Sequence, residues 1–513
     1  MTRAQISALV GGAFLLALGV VRSREGPPLH TRELLLDGGP ACPAAPVEMI
    51  ESAASAAPAA SLVVFHGLGA NRLIMLPLGR QFASAGFRVF LVDSPGHGVN
   101  PAPFSFAGND ACASGLVSRL ERSGEITRGK TVLLGHSLGG AVAIRLADDF
   151  VAAGTIAIAA APLVRPHRLP VNLLLVAPQF DMPPIQAQER ELSAAAGPAR
   201  VAPGDFRLSR AFQALWVPWQ SHTSPIFSAP ATAAMVRWAL DSVGEFEKPV
   251  PRMDFRAFHG ALVGLAGILL MFPAALELCA RLAGRGRLPF PGDSAGARLG
   301  IVLLAWPAAG IFSAAVLSFW TPLARLHIFG ADYLGSFLLV AGIPLALGFG
   351  RGAVGSAPRA GVSCAALLVG LAIALATIVA VGAWCKWQLA ELWLIPARWT
   401  RLPLLAAALL PASFAEECVL GSVPPFFSRR NDLRLLLFFV LRGIFWAAMF
   451  AAFWTGAGAA LLPVIFAGPL AGVSLGARIG ADMVRARTGS RAAAALFGAI
   501  LNSWFVAAAF PLA

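Results

Sequence analysis

Charge is what this chain has least of. Only 13% of its 513 residues are Asp, Glu, Lys or Arg, about half the share of a globular protein, while 57% are hydrophobic. With mean hydropathy at +0.70, water alone cannot solvate such a sequence, so much of it must face lipid. Closely spaced cysteine pairs are missing as well. Cys42, Cys112, Cys279, Cys364, Cys385 and Cys418 form no Cys-x-x-Cys, which leaves zinc and thioredoxin chemistry without support. Only Cys42 and Cys112 fall in the more soluble half; they pair if that half lies outside the cytoplasm and otherwise remain free thiols. No Gly-x-Gly-x-x-Gly follows the first clear strand, where His66-Gly67-Leu68-Gly69-Ala70-Asn71 stands instead, so a nucleotide site is not expected. With no cluster of metal ligands either, the sequence implies no cofactor and no metal. Acidic residues are outnumbered, 27 against 40 basic ones, for a net charge of +13. The arginines are nevertheless scattered between apolar runs rather than gathered on one face, which excludes a nucleic-acid partner and fits a positive-inside membrane topology.

Against these absences stands one strong signal. An apolar, β-branched run, Thr131 to Leu134, ends in Gly135-His136-Ser137-Leu138-Gly139, and a helical pattern from Ala141 to Phe150 follows at once. This strand–turn–helix context is what a serine nucleophile elbow requires. The glycines leave room for a strained turn that lifts Ser137 Oγ above the sheet edge, with the Leu138 N–H aimed at the same place.

The chain divides by composition into four parts. Residues 1–24 hold an apolar segment, Ile6 to Val21, flanked by Arg3, Arg22 and Arg24. Without a good Ala-x-Ala site, it reads as an uncleaved signal anchor rather than a signal peptide. Residues 25–60 are Pro/Ala-rich and read as a linker or N-terminal extension that ends in a linker-like stretch, Ala53 to Ala60. From 61 to 248 strands alternate with helices. The strands are expected at Leu62–His66, Arg88–Asp93, Thr131–Gly135, Thr155–Ala160, Leu173–Ala177 and Ala214–Pro218. The helices are expected near Met75–Ala85, Asp110–Ser123, Gly140–Ala153, Ile185–Ala196 and Ala229–Val243. Uninterrupted apolar strands mean a sheet covered on both faces, hence an α/β fold with a mostly parallel sheet. After the fourth strand only Leu163 to Val171 could form a lid, so an open site is expected.

Residues 255–513 read as an all-α membrane domain. Eight apolar segments lie near 258–278, 299–320, 334–350, 361–384, 403–425, 434–454, 457–476 and 493–512. Arginines crowd the loops after the first, third, fifth and seventh. This places those loops in the cytoplasm and the α/β domain outside. The loop after the fourth departs from the rule, with Lys386, Arg398 and Arg401. Trp320, Trp384, Trp387, Trp393 and Trp399 gather near the outer ends, as an interfacial belt would.

Several ordered pieces of 61–248 resemble the α/β-hydrolase superfamily. Phe65-His66-Gly67-Leu68-Gly69 matches its His-Gly-x-Gly turn, and Asp93-Ser94-Pro95-Gly96-His97-Gly98 its Asp-x-x-Gly-x-Gly loop. The resemblance implies that the Leu68 and Leu138 amides form an oxyanion hole and that Asp93 is structural, which sets it and His97 apart from catalysis. It also implies the order serine, acid, histidine. Asp181, after the strand Leu173–Ala177, is the best acid, with Asp205 as rival. His222, after the last strand and before the last helix, is the best base. His167 precedes Asp181 and breaks the order, and His136 inside the elbow is expected to pack.

Taken together, the residues point to a membrane-anchored serine hydrolase that cleaves carboxylic ester or thioester bonds of small or lipid-like substrates. A membrane acyltransferase or a transporter with an accessory hydrolase domain is the alternative, and a catalytically dead binding domain a third reading. In the membrane half, Glu416-Glu417 resembles the paired glutamates of CAAX-processing intramembrane proteases. Gly421 stands where that family has arginine, however, and no histidine follows His327. An ion pair with Arg442 in the next helix is therefore the expectation.

Overall fold

In the computed structural model of the chain, residues 3–53, 60–160, 170–195, 212–282, 299–354, 363–420 and 431–513 are described. They form two compact units: one of Leu16–Leu265, Trp384–Glu391 and Pro511–Ala513, the other of Met1–Leu15, Ala266–Ala383 and Leu392–Phe510.

The first unit is built on one sheet of eight strands: β1 (Leu29–Leu36), β2 (Ala45–Ser52), β3 (Ala60–Phe65), β4 (Phe87–Val92), β5 (Thr131–His136), β6 (Gly154–Ile158), β7 (Leu173–Phe180) and β8 (Phe212–Ser221). Their spatial order is β1-β2-β4-β3-β5-β6-β7-β8. β2 runs antiparallel to both neighbours, and every pairing from β4 onward is parallel. Alternation along the strands serves both faces. Leu62 and Val64 of β3 join Leu78, Phe82, Met235 and Trp238 in one core, beneath α2 (Arg72–Ser84) and α6 (Ala229–Ser242). Val63 and Phe65 join Leu116, Leu120, Val142 and Leu146 in the other, beneath α3 (Phe106–Arg122) and α4 (Leu138–Asp149). The mostly parallel, doubly covered sheet expected from the apolar runs is what forms.

One expectation is corrected. Residues 29–52 lie inside the segment 25–60 read as a linker, yet they form the antiparallel hairpin β1–β2 and extend the sheet. β1 is an edge strand whose residues are mostly exposed, so four polar residues, His30 to Glu33, interrupt its leucines and leave only the short run Leu34–Leu36. In β2, Glu48 is buried because Arg72 lies 3.6 Å from it. The Cys42–Cys112 disulfide ties the end of this hairpin to α3 with its Cα atoms 5.5 Å apart, so the paired alternative holds. It closes a separation of 70 residues. Reducing it, or replacing both cysteines by serine, is expected to cost about 2–4 kcal/mol. Chemical denaturation with and without reductant checks this as a lower midpoint at constant m-value.

The second unit is helical. α1 (Arg3–Ser23), α7 (Arg256–Leu282) and α10 (Cys364–Gln388) contribute to both units. The rest are α8 (Leu299–Leu317), α9 (Ala331–Val354), the single turn α11 (Pro396–Trp399), α12 (Leu402–Leu420), α13 (Asn431–Trp454), α14 (Leu461–Ile465), α15 (Ala467–Thr488) and α16 (Arg491–Ala509). Among the described residues eight helices, α1 included, are long and apolar enough to cross a membrane. The segment expected as one span near 457–476 is instead a broken pair, Gly458–Ile465 and Ala467–Thr488, bent by 60°.

The arginines that break the charge pattern after α10 are consumed by backbone carbonyls. Buried Arg398 donates to Ala507 O and, at 2.7 Å, to Phe510 O at the end of α16, and Arg401 donates to Leu326 O at 2.8 Å. A guanidinium at a helix C-terminus answers its unpaired carbonyls and its dipole.

The expected ion pair with Arg442 forms through Glu416, at 2.7 Å, whereas Glu417 is held by Arg478 and Arg485 of α15. Adjacent helical residues point about 100° apart, so two neighbouring carboxylates face different helices.

Candidate active site

Ser137 stands between β5 and α4 with φ 55° and ψ −117°, a conformation that costs a non-glycine residue about 1–3 kcal/mol. Its surroundings enforce the turn. The Ser137 N–H donates to Ile158 O at 2.8 Å. A Cβ on Gly135 would stand 1.9 Å from Gly139 O, and one on Gly139 would stand 2.2 Å from Phe65 O. Both glycines of the motif are therefore required by backbone approach. Leu138 is the first residue of α4, so its N–H has no acceptor within the helix. Leu68 lies on the loop from β3 to α2, and Gly67 beside it would bring a Cβ within 3.0 Å of Ser137 Cβ. The loop carrying one candidate oxyanion amide thus lies against the serine.

His66 anchors that loop. Its Nε2 accepts the Ser94 N–H at 3.1 Å, which leaves the proton on Nδ1 to donate to Gly67 O at 2.8 Å. Burial holds its pKa below the usual histidine range and keeps this neutral form.

Asp181 follows β7 and precedes α5 (Pro183–Ala195). Its side chain is fully buried, and Oδ1 accepts from His222 Nδ1 at 2.7 Å and from the Met182 N–H at 2.6 Å. His222 follows β8, its side chain 18% exposed. The structure thus brings together two of the three residues chosen from order alone. Among the described residues no hydrogen bond joins Ser137 Oγ to His222; in unliganded hydrolases this contact is often long. His136 makes the connection instead. Its Nε2 lies 2.9 Å from His222 O, and the two rings are 4.9 Å apart. Burial, and next the His222 charge, push its pKa down to about 3, so the neutral ring donates Nε2–H to that carbonyl. The residue before the nucleophile therefore positions the candidate base, a role beyond simple packing.

Asp93 is structural, as the resemblance implied: it accepts from Arg72 N at 2.8 Å, Arg72 Nη1 at 2.5 Å and Val99 N at 3.2 Å. His97 Nδ1 binds Pro95 O at 2.7 Å. Asp205 and His167, and most of the segment weighed as a lid, lie outside the described residues. Sequence reasoning missed Glu189. It sits on the inward face of α5 with Ile185 and Leu192, fully buried, and neither carboxyl oxygen has a hydrogen-bond partner. Burial, reinforced by Asp181, pushes its pKa up to about 8. The i, i+4, i+7 spacing of these three residues was the available signal. Among the described residues no three His, Cys, Asp or Glu side chains converge as a metal site requires.

These shifts set opposite pH slopes. His136 binds its proton more weakly folded than unfolded, so its contribution is present above about pH 6.5 and is lost as pH falls toward 3, on the order of 5 kcal/mol. Glu189 binds its proton more tightly folded, so stability is lost as pH rises from about 4.5 through 8. Denaturation midpoints across pH are expected to drop at both ends, with His136→Gln flattening the acid limb and Glu189→Gln the alkaline one.

With this geometry in view, comparison with known proteins is informative about the first unit. Residues 62–257 match the sequence model of the alpha/beta hydrolase family. That segment, with the strand order above, is an α/β-hydrolase domain. Among solved structures the chain is similar to a Thermus thermophilus protein, with 20% identity over 42% of this chain and 99% of that one and a TM-score of 0.33. An esterase of Pyrobaculum calidifontis gives 13%, 48% and 94%, at 0.34. A lidless serine hydrolase of Xanthomonas campestris gives 17%, 44% and 100%, also at 0.34. No curated protein matches the sequence.

Proposed function

We propose that this chain is a membrane-bound serine hydrolase that cleaves carboxylic esters or thioesters. The observation that carries the reading is the strained Ser137 turn, joined through His136 to a buried Asp181–His222 pair. Ser137 Oγ attacks the ester carbonyl as His222 Nε2 takes its proton. The Leu68 and Leu138 amides hold the resulting alkoxide, a contribution of about 3–4 kcal/mol per donor. His222 returns the proton to the leaving alcohol or thiol, which departs and leaves an acyl-serine. Water, deprotonated by the same imidazole, then releases the acid. Asp181 keeps the Nδ1–H tautomer and balances the imidazolium.

A cleft of about 340 Å³ opens at the ends of β7 and β8, the strands leading to Asp181 and His222. Trp216, Val217 and Pro218 border it together with Arg190. Gln179 and Gln186 also line it, and a mixed wall of apolar side chains, two amides and one cation suits an amphiphilic substrate.

Three features support a domain outside the cytoplasm. The Cys42–Cys112 disulfide needs an oxidising compartment. The loops rich in arginine alternate along the chain. In addition, the end of α10 and the residues that follow α16, Pro511–Ala513, belong to the sheet unit. There the Glu391 N–H donates to Asn71 Oδ1 at 3.2 Å, and Leu512 pairs with Gly96 and Phe104. Those ends share a side only if an even number of spans separates them, so in this reading the bent pair α14–α15 crosses the bilayer. α1 stays in place as an anchor, packed antiparallel to α7, since a Cβ on Gly19 would stand 2.5 Å from Gly264 Cα and one on Gly260 would stand 2.6 Å from Ser23 N.

The test is labelling of intact cells with a membrane-impermeant fluorophosphonate. A band present in the natural protein and absent in Ser137→Ala is expected. A band that appears only after lysis would keep the enzyme and reverse the topology; no band in any preparation would overturn the serine chemistry.

A further inference from the structure

The hydrolase reading uses Asp181 and His222 but not the aromatic side chains beside them. Phe180 immediately precedes the acid and Trp219 stands just ahead of the base, and both are open to solvent, 55% and 81% exposed. Their rings meet edge to face with centroids 5.8 Å apart. Trp216, earlier on β8, is 48% exposed and borders the cleft. Single exposed apolar side chains need no explanation, but three aromatics on the two strands that lead to the acid and the base do.

The backbone holds Trp219 out actively. Its φ of 59° is a strained conformation for a bulky residue. It lies where the β7–β8 ladder slips, between the pairs Pro178–Val217 and Phe180–Ser221, and its N–H donates to Gln179 Oε1 at 2.9 Å. Such a bulge re-aims a side chain out of the regular alternation. An indole kept in the open against backbone strain marks a contact surface rather than a packing accident.

The sheet edge on which the pair stands says what that contact is. Parallel strands all end on one edge, so Phe180 and Trp219 share an edge with the loops that follow β3 and β4. With strands about 4.8 Å apart, the end of β8 lies about 20 Å along this edge from the end of β3. Those two loops bind chain that has just left an apolar helix. Glu391, shortly after α10, donates its N–H to Asn71 Oδ1 at 3.2 Å. Leu512, after α16, donates to Gly96 O at 2.9 Å and accepts the Phe104 N–H at 2.6 Å. The last turn of α10 belongs to the sheet unit and carries Trp384 and Trp387, with ring centroids 5.4 Å apart. α10 is long and apolar enough to cross a bilayer. Where such a helix ends the lipid surface begins, and tryptophans gather at that level. Arg190, exposed at the cleft, adds the cation that anionic headgroups attract.

We propose that Phe180 and Trp219 form a ledge that lies in the surface of a lipid bilayer, and that the site takes its ester from that surface. The substrate class is then an acylated amphiphile whose chain resides in the membrane. This rests on the hydrolase reading for its chemistry and on the exposed aromatics for its geometry. An ester dissolved in water reaches the cleft without the ledge, whereas an acyl chain leaving lipid avoids water only where the rim is apolar.

The experiment uses the full chain in phosphatidylcholine–phosphatidylglycerol liposomes and has two readouts. The first is quenching of indole emission by lipids brominated on their acyl chains, taken as the difference between the natural chain and Trp219→Phe. The second is turnover of p-nitrophenyl acetate in water against p-nitrophenyl palmitate in the vesicles. The expected results are a Trp219 contribution that brominated lipid quenches and, in Phe180→Ala/Trp219→Ala, a fall of about tenfold in the palmitate-to-acetate ratio. A Trp219 contribution blind to brominated lipid overturns the proposal, and so does an unchanged ratio in the double variant. Trp219 emission that changes with protein density at fixed lipid also overturns it, by placing a second copy of the chain on the ledge. Should the double variant fail to fold, Trp219→Gly, which adopts φ 59° freely, carries the ratio measurement. Failure of the hydrolase reading looks different: the natural chain turns over neither ester, and the quenching alone decides whether the ledge meets lipid.

Discussion

Ser137→Ala is expected to lower kcat for any ester substrate by about 10⁴–10⁶, with fluorophosphonate labelling lost altogether. The hydroxyl is the only atom group removed, and the backbone that presents it is fixed by neighbours rather than by the side chain. Gly135 and Gly139 have no room for a Cβ, and the Ser137 amide is bound to Ile158 O. The fold should therefore survive, and the loss is chemical. Ser137→Gly separates the two effects further. Glycine adopts φ 55° freely, so this variant is expected to be equally inactive yet more stable by about 1 kcal/mol. Asp181→Asn should cost about 10⁴ in kcat, because an amide in place of the carboxylate favours the wrong imidazole tautomer. In the proposed mechanism the three residues act as a unit, so the losses in Ser137→Ala/Asp181→Asn should not multiply. A Ser137→Ala enzyme that retains more than about a tenth of its activity would remove the serine mechanism.

How much of this was legible in the sequence depends on what each element has to satisfy. The elbow could be read because its constraints are local: a β-branched run, two glycines and a helix within about twenty residues. Asp181 and His222 followed from strand ends and chain order, which a parallel sheet makes informative. The hairpin β1–β2 was hidden because an exposed edge strand needs no apolar run, and its buried Glu48 makes sense only beside Arg72, which is distant in sequence. The roles of His136 and Glu189 were hidden for the same reason. Each depends on a neighbour that reaches it through the fold, His222 for the first and Asp181 for the second. Arg398 and Arg401 looked like errors in the charge pattern until the carbonyls they bind were seen.

The second large effect is expected in the helical unit. Glu417→Ala should destabilise it by about 3–5 kcal/mol, because the change leaves the Arg478 guanidinium buried with Asp482, at 2.6 Å, as the carboxylate still beside it. Glu417 and Arg478 are almost fully enclosed, 1% and 4% exposed, whereas Glu416 and Arg442 are 10% and 21% exposed. The two pairs should accordingly respond differently. Exchanging charges between Glu416 and Arg442 keeps a pair that is less tightly enclosed and is expected to preserve most of the folded protein. Exchanging them between Glu417 and Arg442 puts an arginine against Arg478 and Arg485 and should be as damaging as either single change. Thermal unfolding of the purified chain in detergent decides the matter. Equal tolerance of the two exchanges would mean that the helices choose their ion pairs by proximity in sequence after all, and that the α12–α15 contact is not where this unit stores its stability.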